Sequence, residues 1–342
     1  MSLIAAAPLV EAVLKGDRLA LARVLTQVEN QTRTGQQALD ALFPHGGRAH
    51  LVGITGAPGT GKSSLTNQLA RAFRQPHNGS APRRVGVVAV DPSSPFTGGA
   101  VLGDRVRMRD LTGDPGIFVR SMASRGALGG LARTTAAMAQ VLDAAGYDII
   151  LIETVGAGQS EVDIARLAHT TVVVEAPGMG DDIQAIKAGI LEIADILVVN
   201  KADHPGVENT ERALRSMLEL ADPSRRRAPL MWEPAPGDPC RTAETPTWQV
   251  PVMLTVATQT KGAPEVADAI LRHGAYLRET GLWHERECFR LRAELTALLQ
   301  AGLMQRWRSR VSNEMYDRVV DRLLERELSP SQAVRLLIDP EG

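Results

Sequence analysis

Hydrophobic spacing along the chain changes twice, and the two changes divide it into three regions. In residues 3–28, Leu9, Val13, Leu19, Leu21, Ala22, Leu25 and Val28 fall on helical faces that break at Gly16-Asp17, which predicts a helical hairpin. From about residue 48, short apolar runs bounded by turn or charged residues alternate with helical stretches: Leu51–Thr55, Val85–Val90, Ile149–Ile152, Thr171–Val174, Ile196–Val199 and Val250–Val256. That alternation predicts an α/β fold, a doubly wound, mostly parallel sheet whose ligands sit beyond the strand C-termini. From Pro264 onward only helical spacing remains, over Leu271–Leu282, Cys288–Trp307, Met315–Leu328 and Ser331–Ile338, the last opened by Ser329-Pro330. The expected organisation is an N-terminal helical extension (1–47), a core domain (48–262) and a C-terminal helical arm (263–342).

No repeat of fixed period interrupts this plan. The one irregular stretch is Ser224–Gln249, rich in Pro, Arg and Gly and containing Arg225-Arg226-Arg227. A solvated surface excursion and a partner-binding loop both fit it.

Composition narrows the class. At 342 residues, 44% hydrophobic and 23% charged, the chain can bury a large core. With 38 basic against 39 acidic residues it has no global field to draw nucleic acid or an anionic membrane, so neither is an expected partner. Cys240 and Cys288 stand in unrelated contexts, which excludes a disulfide framework and points to a reducing cytosol. No segment has the length of a membrane span, and the N-terminus lacks the order of a secretion signal, so a cytoplasmic location is expected.

The chemistry begins with Gly56-Ala57-Pro58-Gly59-Thr60-Gly61-Lys62-Ser63, followed by Ser64, which fits G-x-x-x-x-G-K-[ST] at every fixed position. Leu51–Thr55 reads as the strand before it, and Leu65, Leu69, Ala72 and Phe73 carry helical spacing after it. Inward-pointing amides of such a loop, with the positive end of the following helix dipole, form an anion site. Lys62 is placed to reach β- and γ-phosphates, and the Ser63 hydroxyl to ligate Mg²⁺. The core therefore reads as a P-loop NTPase.

A second motif, Asn200-Lys201-Ala202-Asp203, directly follows the run Ile196–Val199. An Asp carboxylate there accepts from both N1–H and the 2-amino group of guanine, whereas adenine presents an acceptor at N1 and leaves the carboxylate unpaired. This selects GTP and GDP over adenine nucleotides. Asp91 and Glu153 each close a predicted strand facing the loop, where a carboxylate can hold Mg²⁺ or a metal-bound water. Capping a following helix is the plainer role open to either acid. The Gly156 amide can meet a γ-phosphate oxygen.

Taken together, Gly56 to Ser64, Asp91-Pro-Ser-Ser-Pro-Phe-Thr-Gly-Gly-Ala100 with Leu102-Gly-Asp104-Arg105, Glu153-Thr-Val-Gly-Ala-Gly-Gln-Ser-Glu161, Pro177 to Lys187, and Asn200 to Asp203 resemble the MeaB/ArgK group of G-proteins. These are GTPase chaperones of adenosylcobalamin-dependent acyl-CoA mutases. The likeness extends over both flanks, including Ala12 to Arg23 and the helical C-terminal arm. It implies a homodimer held by the C-terminal helices, and a slow GTPase whose nucleotide state gates cobalamin delivery to a mutase and protects or rescues it. An adenosyltransferase is a further partner it implies. The first switch would run from Asp91 to Asp104 and the second from Glu153 to Glu161. A third, near Gly178–Lys187, would relay nucleotide state to the mutase through Asp181, Gln184 and Lys187, although a solvated helix face accounts for Gln184 and Lys187 as well.

The expected mechanism places Mg²⁺ on Ser63, Asp91, Asp104 and Glu153, with Lys62 and the loop amides stabilising the charge that develops on transfer to water. No residue announces itself as the water-positioning group; Gln159 is chemically suited, and equally a polar helix start. Where the family carries a Ser-Ala pair behind the guanine, this chain has Thr255-Val256-Ala257-Thr258, so the backbone contact can survive without a serine hydroxyl. The Pro-rich stretch before it is longer than usual. A metallochaperone-type GTPase is the rival, but His45, His50, His77, His169, His204, His273, His284 and the two cysteines lack ligand spacing. A second rival is an interaction module that binds GTP without hydrolysing it.

Overall fold

In the computed structural model the described residues are 6–92, 111, 113–124, 130–154, 159–178, 188–220 and 247–338. Three helices come first: α1 (Ala7–Leu14), α2 (Arg18–Glu29) and α3 (Arg33–Leu42). The alternating core follows as β1 (His50–Thr55), α4 (Lys62–Arg74), β2 (Val85–Pro92), β3 (Ile117–Ser124), α5 (Gly130–Ala144), β4 (Ile149–Glu153), α6 (Gln159–Leu167), β5 (Thr170–Glu175), α7 (Ala188–Ile193), β6 (Ile196–Val199), α8 (Val207–Leu220) and β7 (Val252–Leu254). Helices α9 (Ala263–Glu279), α10 (Leu282–Arg308), α11 (Asn313–Leu324) and α12 (Pro330–Ile338) close the chain.

The seven strands form one parallel sheet in the order β3-β2-β4-β1-β5-β6-β7. The chain builds one half of the sheet, then crosses β1 to build the other. The crevice at that switch, beyond the C-termini of β1, β4 and β5, is where such sheets take ligands. Because side chains alternate across a strand, Val52 and Ile54 of β1 join Leu151, Val172 and Val198 on one face, against Leu65, Leu69 and Phe73 of α4 and Val266 and Ile270 of α9. Leu51, Val88, Ile150 and Ile152 point the other way. Each such side chain, fully buried, stabilises the fold by about 1.5–3 kcal/mol.

That second face explains the N-terminal helices. Val13 of α1, Leu21, Val24 and Leu25 of α2 and Leu42 of α3 share a cluster with Met138, Val141 and Leu142 of α5 and with the sheet, so these helices cover the core. The predicted hairpin becomes three helices because Thr32 caps a third one, its hydroxyl accepting from the Gly35 amide at 3.0 Å. Asp17 caps α2 in the same way, accepting from Leu19 and Ala20 at 2.8 and 3.0 Å.

Strand β3 departs from the sequence expectation, which placed no strand there. Arg120 and Ser121 interrupt its apolar run, and the Arg120 charge is met by Glu29 of α2. The predicted helix Leu271–Leu282 begins earlier, at Ala263, and ends at Glu279, because Gly281 turns the chain at φ +76° before α10.

The chain divides into two compact units, Met1–Arg290 and Leu291–Gly342, with the boundary inside α10. In the second unit the Trp307 indole N–H donates to the Leu337 carbonyl at 2.7 Å, and its ring meets Tyr316 edge-on. Cys288 stands in α10 with its Sγ 3.8 Å from Nε2 of His284; Cys240, the chain's other cysteine, lies outside the described residues. Among the described residues no helix is long and apolar enough to cross a membrane.

Candidate nucleotide site

The loop after β1 turns where only glycine fits. Gly56 has φ +135°, and a Cβ there would stand 2.0 Å from the Val174 carbonyl oxygen of β5. Gly61 has φ +92°, and its Cβ would stand 2.3 Å from Asn200 Nδ2. Helix α4 then starts at Lys62 with no side chain capping it, so its first amides face the crevice with the positive end of the helix dipole.

Lys62 is buried, and its ammonium donates to the carbonyls of Gly56 and Ala57, 2.9 Å each. The Thr60 hydroxyl closes the loop on the same Ala57 carbonyl at 2.9 Å. The Ser63 hydroxyl donates to Oε1 of Glu153, the buried last residue of β4. Register explains the meeting: Glu153 pairs with Ile54 of β1, which sets its carboxylate beside the loop. Next to it the Thr154 amide donates to Ile54 at 3.1 Å, and the Thr154 hydroxyl to Thr55 Oγ1 at 3.2 Å.

Asn200 joins the phosphate loop to the second motif. It is buried beyond β6, and its Nδ2 donates to the Thr60 carbonyl at 2.8 Å. Its Oδ1 accepts from the Thr255 hydroxyl at 3.0 Å and from the Ala257 amide at 3.1 Å. Lys201 takes φ +58° and Asp203 stands exposed in the following turn, while the Ala202 amide donates to the Thr255 carbonyl at 3.0 Å. Val256 and Ala257 are buried, and Thr258 is exposed.

The structure thus brings together Lys62, Ser63, Glu153 and the Asn200 motif. Asp91 is the last residue but one of β2 and its side chain is outside the described residues, as are Asp104, Gly156, Asp181, Gln184 and Lys187. Sequence reasoning missed Thr255. A hydroxyl is delivered after all, from the residue before Val256, and onto Asn200; the run Thr255-Val-Ala-Thr258 carried that signal. Among the described residues no three His, Cys, Asp or Glu side chains gather as metal ligands.

Residues 21–312 match the model of a family described as methylmalonyl-CoA mutase-associated GTPase MeaB. A protein of Pyrococcus abyssi (strain GE5 / Orsay), whose name carries the word GTPase, is 41% identical over 330 residues, covering 96% of this chain and 95% of its own length. The GTPase ArgK of Escherichia coli (strain K12) is 39% identical over 224 residues, 64% of this chain and 66% of that protein. Among solved structures, a LAO/AO transport system kinase covers 99% of this chain and 98% of its own, with TM-score 0.70 at 24% identity, a likeness of fold.

Proposed function

The chain belongs to the MeaB family of methylmalonyl-CoA mutase-associated GTPases, and from that premise we propose that it is a GTP-hydrolysing chaperone gating adenosylcobalamin loading and rescue of a B12-dependent acyl-CoA mutase. The observation that carries the nucleotide part is Asn200, whose amide holds the phosphate loop while its oxygen is fixed by the segment behind the base. A nucleotide spanning both motifs would be gripped at both ends by parts already hydrogen-bonded to each other.

Lys62 leaves the Gly56 and Ala57 carbonyls for the β- and γ-phosphates, and the loop amides and α4 N-terminus stabilise the charge developing at the γ-phosphate. Asp203 accepts from the guanine N1–H and 2-amino groups, with Lys201, Val256, Ala257 and Thr258 around the base. The Ser63 hydroxyl and Glu153 carboxylate are adjacent hard oxygen donors, the donor chemistry of a magnesium site, and Asp91 and Asp104 join them in this reading. Mg²⁺ held there supplies the Lewis-acid charge that phosphoryl transfer needs.

Asp181, Gln184 and Lys187 are the proposed relay to the mutase, methylmalonyl-CoA mutase first, with isobutyryl-CoA and 2-hydroxyisobutyryl-CoA mutases as alternatives. Leu295, Leu298, Leu299, Leu303 and Met304 lie exposed along α10 in the second unit, an apolar stripe that suits a second copy of this chain. An adenosyltransferase partner and a cytoplasmic location complete the reading. The metallochaperone alternative finds no ligand cluster among the described residues.

Calorimetric titration of GTP with Mg²⁺ tests the site: saturable heat with GTP or GDP, and none with ATP, is expected. Phosphate released from GTP over hours, and lost in Lys62→Ala, is the expected sign of an enzyme; binding without release would leave only an interaction module. Co-purification of a mutase subunit in the presence of a non-hydrolysable GTP analogue tests the partner.

A further inference from the structure

The opposite end of the sheet carries a second polar cluster, which the nucleotide chemistry does not use. His50 opens β1, His169 precedes β5, Thr170 opens β5 and Asp195 precedes β6, so all four lie at the N-terminal ends of the central strands. Helix α9 adds His273, and the first turns of α10 add Trp283, Arg286 and Glu287.

The geometry holds α10 down by two anchors. Arg286 forks onto Asp195, Nη1 to Oδ2 at 2.9 Å and Nη2 to Oδ1 at 2.8 Å, and Nη1 also donates to the His169 carbonyl. Asp195 Oδ2 accepts from the Thr171 amide at 2.8 Å as well. The second anchor is His169: its ring stacks on Trp283 with centroids 3.8 Å apart, and its Nε2 meets Glu287. Arg278 covers the outer face of Trp283 at 3.8 Å.

His169 has no room for another proton. Its Nδ1 accepts from the Leu51 amide at 3.0 Å, so Nε2 carries the hydrogen facing Glu287, and protonating Nδ1 would cost the β1 hydrogen bond. One hydroxyl, Thr170 Oγ1, sits between His50 Nε2 at 2.6 Å and His273 Nδ1 at 2.8 Å, a pairing satisfied when one ring donates and the other accepts. His273 Nε2 lies 3.3 Å from Asp195, whose carboxylate is already shared with the Arg286 guanidinium. A cation on any of the three rings would therefore be buried near a fixed cation. Among the described residues, Tyr276 and Arg278 of α9 and Arg290 of α10 also face the rings, and Glu285 of α10 acts on Arg286.

We propose that the root of α10, from Trp283 to Arg290, is a proton-operated latch, which acidification frees from β1, β5 and β6 while the sheet stays folded. Burial holds all three rings below the ordinary histidine value: His50 well below it with His169, His273 and arginine charges adding, His169 against the opposing pull of Glu287, and His273 down to about 4 against that of Asp195. The open root, whose rings titrate normally, takes up protons that the closed root refuses.

Hydrogen–deuterium exchange of the full-length protein, at fixed redox state and corrected for intrinsic pH dependence, reads the latch directly. From pH 7.5 to 5.0, protection of residues 282–290 is expected to fall at least about tenfold more than that of β1 residues 51–54, since each proton linked to opening changes it up to tenfold per pH unit. His169→Gln keeps a donor for Glu287 and an acceptor for Leu51 but cannot titrate, so the fall should shrink by the share of one proton. Equal loss in both segments would mean global acid unfolding and overturn the latch, as would a His169→Gln profile identical to wild type. If that variant fails to fold, the wild-type difference between the two segments decides alone.

Discussion

The two ends of the central strands solve opposite problems with the same backbone. At the C-terminal ends, glycines let β1, β5 and the Asn200 loop approach closely, and uncapped amides at the start of α4 face the crevice. At the N-terminal ends, the described rings, guanidinium and carboxylate are turned mainly onto one another. One end is preorganised to receive charge, and the other consumes its own. Strands about six residues long separate the two by roughly 15–20 Å, so substitutions at each should act independently.

The largest effect that tests this separation is Lys62→Ala. Loss of the ammonium should lower GTP hydrolysis on the order of 10³-fold, about 4 kcal/mol of transition-state stabilisation. Urea denaturation of the same variant should move by only about 1–2 kcal/mol, the scale of the hydrogen bonds its ammonium gives to the Gly56 and Ala57 carbonyls. The reverse experiment is Arg286→Ala, which leaves the Asp195 carboxylate buried without its guanidinium. A loss of about 3–5 kcal/mol in unfolding free energy is expected, with GTP affinity of the folded fraction unchanged. A weakened nucleotide site in Arg286→Ala would show that the two ends are coupled.

The two ends also differ in how far they could be read from sequence. The phosphate loop is contiguous, and its glycines, lysine and serine are demanded by one local geometry, so it was legible residue by residue, as was Asn200 after β6. Six of the seven strands were legible as short apolar runs, five of them because burial on both faces demands it, while the edge strand β7 keeps its run with Leu254 exposed; β3 was not legible, since it accommodates Arg120 through Glu29. Likewise α3 carries Arg33, Thr34, Gln36 and Gln37 in two turns, which dilutes its apolar face, yet Ala38 and Leu42 are buried. The lower cluster has no motif at all. His50, His169, Asp195, His273 and Arg286 come from five segments, and only the parallel register and the turn at Gly281 assemble them; in sequence they read as scattered histidines without ligand spacing.

Acid stability probes that lower end with a smaller effect. His273 is held at about 4 in the fold against about 6.5 unfolded, so its contribution is fully present above pH 6.5 and is lost as pH falls toward 4. Between pH 6.5 and 5, before carboxylates titrate, it alone should remove about 2 kcal/mol, and His50 and His169 act in the same direction. Urea denaturation at the two pH values checks this, and His273→Gln should flatten the dependence. An equal slope in the variant would assign the acid sensitivity elsewhere.

The finest test returns to the nucleotide end, at the one contact sequence reasoning did not foresee. Thr255 donates to Asn200 Oδ1 alongside the Ala257 amide, so Thr255→Val keeps the shape and removes one of two donors from a buried acceptor. The remaining amide keeps the oxygen satisfied, and the loss should stay near 1 kcal/mol, roughly fivefold in GTP affinity. Asn200→Ala removes both donors' target and the Thr60 tether together, and should cost several times more. If Thr255→Val matched Asn200→Ala, the hydroxyl would be the contact that orients the motif; if it left affinity untouched, the Ala257 amide and Thr60 carbonyl would suffice to hold Asn200 in place.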